Sequence, residues 1–113
     1  MLKKEFRLRK QKDFENVFNK GFYFSGDFLL LKTAKNGLPI SRFGFIVSKK
    51  ISKKAVERNR VKRLLRESVR LMQENVRAGF DAVFISKTGI VGKEFKEINL
   101  AAGELLKKSK LIL

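Results

Sequence analysis

A chain of 113 residues with 27 Lys+Arg against 11 Asp+Glu, a net charge of +16, and no His, Cys or Trp reads as one domain with a narrow chemical repertoire. Composition alone excludes disulfides, thiolate nucleophiles, Cys-containing zinc sites and imidazole acid–base chemistry. The 43% apolar content, with 11 Phe, suffices for a core. Runs such as Phe28 to Leu31 fall far short of the roughly 18–20 residues that cross a membrane, so a soluble cytoplasmic protein with no membrane partner is expected.

The chain begins with a basic segment, residues 3–12, that holds six basic side chains and one acid. Phe14, Val17 and Phe18 then fall at i, i+3 and i+4, which predicts a helix over 11–19, with Gly21 expected in the left-handed conformation as its cap. Aromatic and Leu-rich runs over 22–24, 28–35 and 42–48, split by Ser25-Gly26-Asp27 and by Asn36-Gly37-Leu38-Pro39, predict three antiparallel strands. From 55 to 76 the set Val61, Leu64, Leu65, Val69, Met72 and Val76 recurs at helical spacing, and Ala78-Gly79 closes it. A buried-type strand over 81–86, a loop over 87–92 and a helix over 93–110 with Phe95, Ile98, Ala102, Leu105 and Leu106 on one face complete an αβββαβα order. That order predicts a single-domain α+β sandwich covering residues 1–113.

Charge is concentrated rather than spread. Residues 49–70 hold ten basic side chains and two acids, so this stretch and residues 3–12 together carry thirteen of the sixteen net charges. At about 100° per residue, with Val61 as zero, Leu64, Leu65, Val69 and Met72 lie within about 80°, whereas Asn59, Lys62, Arg63, Arg66 and Arg70 fall between about 100° and 200°. A solubilising helix face mixes signs, because like charges at i, i+4 repel. Here Lys62–Arg66 and Arg66–Arg70 are like-charge pairs on a stripe that lacks an acid, with Glu57 and Glu67 lying off it. The compensating charge is therefore expected from a partner, and Arg forks suit phosphate. Lys49, Lys50, Lys53 and Lys54 precede the stripe, and the first-turn amides near Lys54 to Glu57 add a further place for an anion. Such a stripe reads shape and charge, not bases, and does not separate DNA from RNA.

Phe14 and Phe18, one turn apart and beside Arg7, Arg9, Lys10 and Lys12, have two readings: core packing, or a stacking platform for unpaired bases. Alternation puts Phe43, Phe45 and Val47 on one sheet face and Gly44, Ile46 and Ser48 on the other, so one face of that strand is a candidate extension of the platform. Catalytic groups are scarce. Asp13, Asp27, Asp81 and the scattered Glu follow no metal-binding pattern, and Gly89 and Gly92 in KTGIVGK lack phosphate-loop spacing and read as a turn. The protein alone is expected to hold neither catalytic residues nor a metal.

The string Ser48-Lys49-Lys50, then Ala55-Val56-Glu57-Arg58-Asn59-Arg60-Val61-Lys62-Arg63-Leu64-Leu65-Arg66, closely resembles the RNR motif of the protein subunit of bacterial ribonuclease P. Upstream, Arg9, Asp13-Phe14, Val17-Phe18 and Gly21 resemble that family's first helix. The resemblance implies a small subunit that joins a catalytic RNA and assists removal of the 5′ leader from precursor tRNA. The RNA would carry the active site and its Mg²⁺, and no DNA partner is expected. It implies further that Lys49, Lys50, Lys53, Lys54, Arg58, Asn59, Arg60, Lys62, Arg63, Arg66 and Arg70 face the catalytic RNA. Phe14 and Phe18 would line a leader cleft with Arg9 and Lys10 at its edge. A mixed sheet with a left-handed βαβ crossover through residues 43–86 is implied as well, against the general right-handed rule. One departure stands out: where many members place a Gly before Ala-Val, this chain has Ile51-Ser52-Lys53-Lys54, which puts the shape of that turn in question. The competing reading is a structural RNA-binding protein of the ribosomal kind, with no part in cleavage.

Overall fold

The computed structural model describes residues 2–112. Its elements are α1 (Gln11–Lys20), β1 (Phe22–Ser25), β2 (Leu29–Lys35), β3 (Arg42–Ile46), α2 (Ala55–Met72), β4 (Phe80–Ser86) and α3 (Phe95–Lys108), with 3-10 turns over Lys4–Phe6 and Gln73–Asn75. The αβββαβα order stands. Two local expectations do not. Gly21 follows α1 with an extended backbone, φ −78° and ψ 154°, not a left-handed one. Its glycine identity has another cause, since a Cβ there would lie 2.3 Å from the Val17 carbonyl oxygen. The central helix ends at Met72 and tightens into a 3-10 turn, so Val76 lies outside it, and Gly79, at φ +93°, leads into β4 instead of capping α2.

The sheet has the order β1-β2-β4-β3. β1, β2 and β4 run antiparallel, but β3 pairs only with β4 and runs parallel to it, so the three early strands are not one antiparallel set. A parallel neighbour requires a crossover, and α2 supplies it between β3 and β4. The outer edge of β3 is partly covered by the N-terminal segment, where the Leu8 amide donates to the Phe43 carbonyl at 2.8 Å.

One sheet face packs under α2 and α3. Leu29, Leu31, Phe43, Ala82 and Phe84 meet Val61, Leu65 and Val69 of α2 and Ile98, Ala102, Leu105 and Leu106 of α3. Each large aliphatic side chain buried there contributes about 1.5–3 kcal/mol. Ile90, in the loop predicted over 87–92, plugs the same core, and the positive φ of Gly89 and Gly92 on either side makes that loop a tight turn. Glu94 and Glu97 form a capping box that starts α3. Among the described residues, no helix is long and apolar enough to cross a membrane.

The other face carries α1, with Leu8 of the N-terminal segment beside it, and strand register divides it into rows. Arg42, Asp81 and Ala34 form the first; Gly44, Val83, Lys32 and Tyr23 the second; Ile46, Ile85, Leu30 and Ser25 the third. α1 sits over the first two. Val17 packs with Leu8, Ala34 and Val83 in a second small core. Asp13 lies 3.4 Å from the Arg42 guanidinium, which grips Asp81 through paired hydrogen bonds of 2.9 and 2.8 Å. Asp81 is buried and also accepts a bond from the Asn36 amide at 2.9 Å, so this carboxylate is well satisfied. The hydrogen bond from Arg42 to Asp81 is the main reason the guanidinium is held above its ordinary pKa.

Candidate nucleic-acid interface

The basic stripe forms on α2 because Val61, Leu65, Ser68 and Val69 commit the opposite side of the helix to the core. Asn59 and Arg63 are exposed, and Lys62 and Arg66 are half-buried with no ion pair to any described acid. Arg70 departs from the expectation of an acid-free stripe. Its Nε donates to both Glu67 carboxylate oxygens at 3.1 Å, because side chains at i and i+3 are neighbours even when one lies off the stripe. That hydrogen bond holds the Glu67 carboxyl below its ordinary pKa and the Arg70 guanidinium above. The uncompensated row is therefore Lys62, Arg63 and Arg66, flanked by Asn59.

The two arginines of the RNR string have backbone tasks. Arg58 Nη1 donates to the Ser52 carbonyl at 2.9 Å, and Arg60 Nη1 to the Lys93 carbonyl at 3.1 Å. They fasten the turn before α2 and the loop before α3. Glu57 accepts from the Ser52 hydroxyl, while the Ile51 amide donates to the Ser48 carbonyl at 3.1 Å. The turn needs no glycine: among the described residues Lys110 is the only non-glycine with positive φ, so Ile51 to Lys54 sit in ordinary backbone regions. Lys49, Lys50, Lys53 and Lys54 stand exposed around this turn. The Lys54 amide donates to the Ser52 hydroxyl at 3.2 Å, and the Lys54 side chain makes no cap bond to the first turn of α2.

The aromatic pair divides. Phe14 packs closely on β3, where a Cβ on Gly44 would come within 2.5 Å of the ring, and on the small core beneath α1. Phe18 is 38% exposed, with the Lys32 ammonium 5.2 Å from its ring centroid. Beside α1 the third row of the sheet, Ile46, Ile85 and Leu30, stays only partly covered. A cleft results, with an aliphatic floor, an α1 wall of Phe14 and Phe18, and Lys32 at its margin. Phe43 and Val47 belong to the opposite, buried face, and Phe45 stacks on Phe84 there with centroids 6.0 Å apart. The side of β3 that faces α1 is therefore that of Gly44 and Ile46, and it offers an aliphatic rather than an aromatic surface.

The two regions meet at the outer edge of β3. A cavity of about 290 Å³ there is lined by Arg7, Arg9, Lys62 and Arg66 together with Phe14 and Phe45. Exposed Lys10 lies next to it at the start of α1. Helical spacing found the stripe, Phe14 and Phe18. Strand alternation reached Ile46 as one of two candidate faces, but Leu30, Lys32 and Ile85 were missed, since only alternation combined with the correct strand order aligns them.

Fold and charge together define a small basic α+β protein whose cationic helix and half-covered sheet face suit a polyanion. The family model for ribonuclease P matches residues 2–110, and the chain belongs to that family, the protein components of ribonuclease P, which serve tRNA processing. The ribonuclease P protein component of Alkaliphilus oremlandii is 43% identical over 106 residues, covering 94% of this chain and 92% of the relative. The Staphylococcus aureus ribonuclease P protein superposes with a TM-score of 0.87 at 26% identity, over 96% of this chain and 98% of that one. The Thermotoga maritima protein gives 0.82 at 31% identity, over 90% and 96%. A ribosomal-type structural role, the competing expectation, loses its support with this membership.

Proposed function

We propose that the chain binds the catalytic RNA of ribonuclease P through the α2 stripe and holds the 5′ leader of precursor tRNA in the cleft beside α1, with the reaction itself carried by the RNA. One observation carries this reading. The unneutralised Lys62 and Arg66 and the cleft residue Phe14 line the same cavity, so a protein wedged between two polyanions has both contacts side by side. Asn59, Lys62, Arg63 and Arg66, with Lys49, Lys50, Lys53 and Lys54, contact phosphates of the catalytic RNA, and Arg70 contributes less because Glu67 already occupies it. Arg58 and Arg60 act first by fixing the turns that present those groups. Phe18 offers a ring face to an unpaired leader base, Phe14 supports the wall, and Arg9 and Lys10 meet the leader backbone.

The chain's own acids do not supply the chemistry in this scheme. Asp13 of α1 and Asp81 of β4 are both engaged by the one cation Arg42. Mg²⁺ is accordingly held by RNA phosphates, and the protein lowers the repulsion between ribozyme and substrate. The test is cleavage of precursor tRNA at low Mg²⁺ by the cognate RNA with and without this chain. Stimulation, with no cleavage by the chain alone, is expected. Cleavage without added RNA would overturn the assignment of chemistry to the RNA, and no stimulation would overturn the assisting role.

A further inference from the structure

The three-aromatic run Phe22-Tyr23-Phe24 forms β1, the edge strand farthest from β3 and α2. Edge strands commonly carry charge or proline to discourage pairing. This one instead leaves Phe22 75% and Tyr23 58% exposed. Tyr23 lies directly across from Lys32, in the same row and on the cleft face, so the platform of Phe18 and Lys32 continues onto it. By alternation Phe22 lies on the other face from Tyr23, and it borders a cavity of about 300 Å³ lined by Asn16 and Lys20 of α1 together with Thr33, Ala34, Lys35 and Phe80. The Arg77 guanidinium sits 5.7 Å from the Phe80 ring centroid. No carboxylate lines this cavity, and Lys20, Lys35 and Arg77 form no ion pair among the described residues.

We propose that the β1 edge is a second single-stranded RNA surface, on which Tyr23 and then Phe22 stack leader nucleotides upstream of those held in the cleft, with Lys32, Lys20 and Lys35 on their phosphates. The proposal rests on the leader-cleft reading. Geometry gives the direction. The β3 edge borders the α2 stripe and hence the catalytic RNA, so a leader leaving that side crosses β4 and β2 toward β1. At about 4.8 Å per strand the crossing is only about 14 Å, which a few nucleotides fill. A longer leader then reaches the edge and turns over it, from the face of Tyr23 to that of Phe22. The alternative occupant of this edge strand, whose Ser25 end already accepts hydrogen bonds from Lys87 and Lys108, is a second copy of this chain paired through β1. The local chemistry disfavours that, since a paired edge brings two sets of Lys20, Lys32 and Lys35 together.

The experiment measures holoenzyme affinity for precursor tRNAs whose leaders just span the cleft or run several nucleotides longer, using the wild type, Phe22→Ser, Tyr23→Ser and, as the cleft control, Phe18→Ala. Both edge side chains are exposed, so circular dichroism melting should be unchanged. The wild type gains affinity with the longer leader, and each edge variant loses that gain by roughly five-fold or more while matching the wild type on the short one. An unaltered gain in both edge variants overturns the proposal, and Phe18→Ala still weakening the short leader then leaves the cleft reading intact. If Phe18→Ala also fails to separate leader-bearing from mature tRNA, the cleft reading falls first. Weakened binding of the edge variants to the catalytic RNA alone, with no leader-length dependence, assigns the edge to that RNA and overturns the leader assignment. An RNA-free dimer that Phe22→Ser or Tyr23→Ser dissociates overturns it in favour of self-pairing.

Discussion

The α2 stripe and the α1 cleft are built from opposite resources. The stripe is local: one helix, one periodicity, and three cations, Lys62, Arg63 and Arg66, with no ion pair among the described residues, on a helix whose other side is core. The cleft is assembled from α1 and three strands that meet only through the β1-β2-β4-β3 order, and its floor is aliphatic rather than charged. A charged row fixes position on a phosphate backbone with little demand on its exact shape, whereas a stacking site depends on where a ring is held. The stripe should therefore be lost gradually and in proportion to charge, and the cleft abruptly and through packing.

The largest effect that would sharpen this contrast comes from removing the row. Lys62→Ala, Arg63→Ala and Arg66→Ala combined should weaken binding to the catalytic RNA strongly and flatten its log–log salt dependence by about 0.7–0.9 per lost contact, read from binding titrations across salt. Full retention of the slope would show that the row is merely solvated. Next in size is the wall. Phe14→Ala should lower stability by about 2–3 kcal/mol in denaturant melts, and Gly44→Ala, which drives a Cβ into the Phe14 ring, by about 1–3 kcal/mol. Both should also weaken leader-bearing RNA.

Phe18→Ala is the cleaner probe of stacking because its ring is already partly exposed. It should cost about 1–3 kcal/mol on leader-bearing RNA and little on mature tRNA, with the melting temperature nearly kept. Equal losses on both RNAs would move Phe18 to the core. The smallest effect tests the one compensated cation. Glu67→Gln frees Arg70, so RNA affinity at low salt should rise slightly and the salt slope steepen. The Glu67 carboxyl is depressed in the folded state, so its contribution to stability is present above the ordinary carboxylate pKa and is lost as pH falls through the folded value. An acid titration of melting temperature should show that small loss in the wild type and not in Glu67→Gln.

The same division explains what was legible beforehand. Val61, Leu65 and Val69 share a helix with Lys62, Arg63 and Arg66, so the stripe's buried and free sides follow from spacing alone. The backbone tasks of Arg58 and Arg60 do not, because their acceptors, the Ser52 and Lys93 carbonyls, belong to turns whose placement depends on the whole fold. Phe14 and Phe18 stand one turn apart in sequence and yet fare differently. Gly44 on a distant strand makes room for the first, and Lys32 on another approaches the second. The insertion of β4 between β2 and β3 was the decisive non-local fact. It aligns Ile46, Ile85 and Leu30 into one floor, and adjacency in the chain favours the simpler antiparallel arrangement.

The central claim, two RNA contacts of different kinds on one small domain, is tested most directly by tethered cleavage, which the absence of native cysteine makes simple. An iron chelate is attached to Asn59→Cys beside the stripe or to Asn19→Cys beside Phe18, and the holoenzyme is assembled with precursor tRNA. Strand scission confined to the catalytic RNA from position 59, and centred on the leader from position 19, is the predicted result. Scission of the leader from both positions, or of neither RNA from position 59, would contradict the account.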